Sequence, residues 1–253
     1  MARTATSRGN PAGLILLACL ATALAMTLTD WPPLTFLFVM LGWVLAVGVH
    51  EFGHAWVAWL GGDHTVEDKG YLTFDPRKYA DLQTTLIWPL IALALGGIGF
   101  PGGAVWLRED LMRGPLWRSA ASLAGPAGSF LVMVLLALPF AFWRPEPGQE
   151  TLAAALAFLA FLQATAVVLN LLPVPGFDGF GVLRPFLPVR ARIAAAKVEP
   201  VAPLIVLAVL LLLPGASTVL FGLAVSLARA VGLPTDLVFQ GLSDFRFWTR
   251  LGA

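Results

Sequence analysis

The chain has 253 residues, of which 58% are hydrophobic and 12% charged, and its formal net charge is +1. Soluble domains average roughly half apolar and about a quarter charged, so this balance excludes an ordinary soluble domain, a disordered chain and a collagen-like repeat. The small net charge gives no bulk attraction to nucleic acid, which is not an expected partner, and the single cysteine, Cys19, excludes an internal disulfide.

Runs of the length that crosses a bilayer core, about 20 apolar residues, recur along the chain. Arg3 and Arg8 precede the first, Ala12 to Thr29. It reads as a retained anchor rather than a signal peptide, because it is long for a signal core and another apolar run follows closely. The second, Leu34 to Leu60, is interrupted only by His50, Glu51 and His54. Asp63 to Asp81 is the most polar stretch and predicts a loop with short extended pieces around Tyr71 to Phe74. Leu82 to Phe100 is apolar but carries Pro89, Gly96, Gly97 and Gly99; a mixed stretch leads from there to Ser119–Trp143. A short connector precedes Leu152 to Leu172, and Pro173 to Pro200 is polar and proline-rich. Val201 to Leu213 and Ala216 to Val231 are split by Pro214-Gly215, and an amphipathic tail closes the chain. The pattern predicts an all-α polytopic membrane protein of about six transmembrane helices. It forms a single domain over 1–253, with a core at about 34–180, helices at 201–231 and a tail at 232–253.

Ionisable residues inside a membrane helix are costly and point to function. His50, Glu51 and His54 form HEFGH, an H-E-x-x-H string. On a helix, positions i and i+4 share a face, so both imidazoles can reach one metal ion. Glu51, next to the first ligand, can then act as a general base on the attacking water. A mutually satisfied polar seam between helices would also accommodate the three residues, but inside an apolar run it carries less weight. A catalytic zinc usually takes three protein ligands. His64 is the one remaining histidine, and its place in the polar loop favours a solvated side chain. Asp178 is the better candidate. It follows an apolar helix that Pro173 and Pro175 must break, and a broken helix at membrane depth is tolerated only against protein or a water-filled cavity.

HEFGH on one membrane helix and NLLPVPGFDG (Asn170 to Gly179) ending a later one resemble the site-2 protease family of intramembrane zinc metalloproteases. That family pairs H-E-x-x-H with an N-x-P-x-x-D-G-type motif whose Asp completes the zinc site. The resemblance implies His50, His54 and Asp178 as ligands of one zinc ion, Glu51 as catalytic base, and Asn170 as a supporting residue. A third family element, G-P-x-x-N, corresponds to Gly125-Pro126-Ala127-Gly128-Ser129, with Ser129 where Asn is usual. The resemblance covers roughly His50 to Gly179, a three-helix catalytic core, and the chain shows neither the PDZ insertion nor the CBS domain of some relatives. It further implies a single-span membrane-protein substrate, such as an anti-sigma factor or another membrane-tethered regulator, and a bacterial plasma membrane as the compartment.

A shared metal imposes a condition on topology. His50 lies about 15 Å from the end of its helix at 1.5 Å per residue, and Asp178 must reach that depth from the same side. One apolar run between them must therefore fail to cross. Leu82 to Phe100, weakened by its proline and glycines, is predicted to be re-entrant, with a short β segment in FPGGAV (Phe100 to Val105). Gly102 and Gly103 there could offer a strand edge to an unwound substrate, or form a simple tight turn. With the N-terminus inside, Arg3, Arg8, Lys69, Arg77, Lys78, Arg108, Arg113, Arg118, Arg184, Arg190, Arg192 and Lys197 all fall on the inner face. Up to residue 200 only Arg144 is outside, in keeping with the positive-inside rule. The expected site therefore opens toward the cytoplasm. A zinc or proton transporter would use the same ligands but favours further intramembrane acids along a path, and an inactive metal-binding scaffold would not need Glu51.

Overall fold

The computed structural model describes residues 10–79, 93, 105–213 and 215–250. Helix α1 spans Ala12–Met26 and α2 spans Pro33–Gly61. Helix α3 is Pro115–Ala137, prolonged by a 3-10 turn at Leu138–Ala141, and α4 is Glu150–Asn170. Then follow α5 (Asp178–Leu183), α6 (Val189–Val198), α7 (Ala202–Leu212), α8 (Ala216–Ala230) and α9 (Thr235–Phe245). No β-strand occurs among the described residues. The expected extended pieces around Tyr71–Phe74 are not strands: residues 71–73 are turn and bend, between helical turns at Thr65–Asp68 and Pro76–Tyr79. The predicted re-entrant segment and β segment, with Gly102 and Gly103, lie outside the described residues.

Among the described residues, three helical stretches are long and apolar enough to cross a membrane: Pro33–Gly61, Pro115–Ala141 and Glu150–Asn170. Helices α6 and α7 pass the same test only as a pair, bent by 60° at their junction. The described residues thus hold three such spans, or four with the bent pair, against the expected count of about six. Helices α1 and α8 have 15 residues each. At 1.5 Å per residue that is about 22 Å, short of a hydrocarbon core of about 30 Å. An apolar run in the sequence overstates helix length wherever its ends are taken up by caps and turns, as at Thr27 and Gly215.

Helix α4 is the hub. Ala153, Ala154, Ala155, Ala157, Ala160, Ala164 and Ala166 are all buried along it. Small side chains let neighbouring backbones approach, which is how apolar helices gain packing energy where lipid offers no hydrophobic drive. Helix α9 comes so close that a Cβ on Gly241 would meet the Ala154 carbonyl oxygen at 2.2 Å. The expected tail is therefore a docked element, with Phe245 only 1% exposed and its ring 5.4 Å from that of Phe158. Helices α2 and α3 pack just as tightly, since a Cβ on Gly53 would lie 2.6 Å from the Ala124 carbonyl oxygen.

Candidate metal centre

His50 and His54 stand one turn apart on α2, both buried, on the face toward α3. Asp178 reaches them from the start of α5. After α4 ends at Asn170 the chain turns through Pro173 and Pro175, and Gly176 takes φ +91°. A side chain at Gly176 would be strained there and would also press on Pro203 at 2.8 Å. The turn folds Asp178 back onto the histidines. Its Oδ2 lies 3.2 Å from His50 Nε2 and its Oδ1 3.3 Å from His54 Nε2. The two Nε2 atoms are 3.1 Å apart.

Hydrogen bonds on the far side of each ring explain why these atoms converge. His54 Nδ1 is 2.7 Å from the Ala121 carbonyl oxygen, which can only accept, so Nδ1 carries the hydrogen and Nε2 of the neutral ring presents a lone pair. His50 Nδ1 is 3.0 Å from Ser129 Oγ, a hydroxyl that can accept from it and so leave its Nε2 lone pair facing the same point. Asp178 Oδ2 is buried without a hydrogen-bond donor. With both rings neutral, two Nε2 lone pairs and a carboxylate face one another at 3.1–3.3 Å, an arrangement that a cation among them would relieve. Zinc bonds of about 2.0–2.1 Å in a tetrahedron put neighbouring ligand atoms about 3.3 Å apart, close to the separations here. The residues fit zinc.

Glu51 is 3% exposed and turns toward the Val105 backbone N–H, on the segment that enters α3. That segment is tied to the end of α2. Asp63 Oδ2 accepts from the Arg108 N–H at 2.7 Å, and the Gly61 carbonyl accepts from the Arg113 N–H at 2.9 Å. Beyond the three ligands a cavity of about 390 Å³ opens, walled by Glu51, Trp106, Phe177 and Asn170. At its rim Arg184 pairs with Glu109, and Glu199 is 3.8 Å away.

The structure places His50, Glu51, His54 and Asp178 together, with Asn170 in the cavity wall and Ser129 against His50. His64 is exposed past the end of α2, its ring edge-on to Trp59, and takes no part. Gly125, the first residue of the G-P-x-x-N-like element, has no site role assigned from the sequence, yet both imidazoles press on it. A Cβ there would lie 2.1 Å from His54 Nε2 and 2.6 Å from His50 Nε2. The Gly-Pro pair inside an apolar helix was the available signal, because Pro126 forgoes one helical hydrogen bond and such a break needs a reason.

Two mycobacterial proteins, each named "Putative zinc metalloprotease Rip2", are similar to this chain. The one from Mycolicibacterium smegmatis is 44% identical, the match covering 85% of this chain and 82% of the relative. The one from Mycobacterium tuberculosis is 42% identical over the same shares. The similarly named YwhC of Bacillus subtilis is 28% identical over 63% of this chain and 74% of its own. No protein-family model matches the chain, and no solved structure does.

Proposed function

This chain belongs to the site-2 protease family of zinc metalloproteases, and from that premise we propose that it is an intramembrane protease. Its substrates are single-span membrane proteins, such as anti-sigma factors or other tethered regulators, cut in or near their transmembrane segments. The observation that carries this reading is the placement of buried His50, Glu51 and His54 with half-buried Asp178, beside helices long enough to span a bilayer. His50 is eleven residues from the end of α2, about 16 Å at 1.5 Å per residue, so the chemistry lies well inside the apolar layer.

Zinc held by His50, His54 and Asp178 would polarise the substrate carbonyl and acidify the attacking water. Glu51 takes the proton as the water attacks and passes it to the leaving amine. The Val105 N–H orients the Glu51 carboxylate, and the buried surroundings keep its proton from bulk water. A substrate helix hides its carbonyls in its own hydrogen bonds, so it must unwind before it can be cut. Val105, Trp106 and Leu107 form the cavity wall beside Glu51, and an unwound segment laid along them would reach the carboxylate. A transporter is the weaker reading, because the described residues hold one metal-ligand cluster and no second one along a path.

Reconstituted with a tagged single-span protein, the purified chain should release a fragment whose new terminus lies in or beside the span. A zinc chelator should stop release and added zinc restore it; cleavage confined to a soluble domain would overturn the reading. The proposed setting is the plasma membrane, with several spans, the N-terminus in the cytoplasm and the cavity opening to that side, in line with the cation distribution. Single cysteines at positions 78, 108 and 144, in a Cys19→Ala background, should report this to an impermeant thiol reagent. Position 144 should label from outside the cell, and 78 and 108 only after the membrane is opened. Labelling of 108 but not 78 from outside would refute the arrangement.

A further inference from the structure

Behind His50, α2, α3 and α4 line a second space of about 20 Å³, walled by Trp43, His50, Ser129, Gln163, Ala166 and Asn170 among others. Gln163 is only 1% exposed, and its Nε2 has no hydrogen-bond partner. Trp43 Nε1, on the same wall, has none either. A buried polar group without a partner is destabilising, and water cannot be borrowed from lipid. By contrast, Thr165, two residues along α4, bonds its own helix at the Leu162 carbonyl, 2.8 Å away. Gln163 therefore faces a polar space that protein atoms do not fill.

That space is large enough for one water, which needs about 10–15 Å³ and two to four polar partners. Gln163, Trp43 and the Ser129 hydroxyl supply them. Ser129 is also the residue that holds His50 Nδ1. We propose that a buried water joins Gln163 to Ser129 and that Gln163 is thereby a positioning residue for the ligand His50. The short serine, standing where the family usually carries asparagine, leaves room for that water. The inference rests on the zinc reading of the site, which it extends to a residue outside the ligand set. Partners of this kind that orient a metal-bound histidine are worth about 10–100-fold in metal affinity.

The test is zinc release from the purified full chain to a competing chelator. Gln163→Leu, which removes the polar atoms at similar length, should release zinc about ten-fold faster than wild type. Ser129→Ala should do the same, and the double variant should be little worse than either, because both act through one water. Thr165→Val should release zinc at the wild-type rate. Wild-type release from Gln163→Leu, additive losses in the double variant, or equal loss in Thr165→Val would each overturn the proposal. If Gln163→Leu proves unfolded, Ser129→Ala with Gln163→Asn repeats the cycle, and additivity there refutes it. A wild-type chain that binds no zinc would defeat the metal reading and this one together, whereas a zinc-bound wild type with an unaffected Gln163→Leu defeats this one alone.

Discussion

Glu51→Gln is expected to keep one zinc per chain and the full fold while lowering turnover by about 10²–10⁴-fold, the contribution of a positioned general base. Glutamine has the shape of glutamate, so the packing around a residue only 3% exposed is undisturbed. It cannot take a proton from water, and it has none to return to the amine. The loss should fall on kcat with KM nearly unchanged, since Glu51 is asked to act in the transition state rather than in binding. Measured with the reconstituted single-span substrate, a Glu51→Gln variant that retains wild-type turnover would remove the mechanism proposed above.

Asp178→Ala is expected to empty the metal site. The two remaining ligands are neutral imidazoles, and the lost carboxylate is the ligand set's only anion. The loss of zinc affinity should exceed the roughly 10–100-fold that outer partners of a metal ligand command. His64→Ala is the control, because that ring is exposed and lies against Trp59 rather than the cluster. Metal analysis of the purified variants decides the matter. Full zinc in Asp178→Ala, or its loss in His64→Ala, would break the ligand assignment.

The parts of the site that were legible in the sequence are those set by local geometry. His50 and His54 share a face because of the helical period, and Glu51 stands beside them for the same reason. Asp178 became legible through its company, two prolines and two glycines that must turn the chain just after an apolar helix. The partners behind the histidines were not legible in this way. Ser129 looked like a departure from a family pattern, and only its 3.0 Å approach to His50 Nδ1 gives it a task. The Ala121 carbonyl has no signature at all, because a backbone acceptor is present at every residue.

What the sequence by itself determined is the membrane class, the order of the three long core helices, and the residues that converge on the proposed zinc. Composition and period act over a few residues, so they survive without knowledge of neighbours. Only the tertiary structure decided how long each helix runs and how close the helices come. Fifteen-residue α1 and α8 fall short of the spans their apolar runs suggest, because caps and turns shorten a helix in ways hydropathy does not register. Gly125 could have been an ordinary small residue in an apolar helix. It is required because α3 passes so near α2 that two imidazoles occupy the place of its side chain, and that contact joins residues more than seventy positions apart.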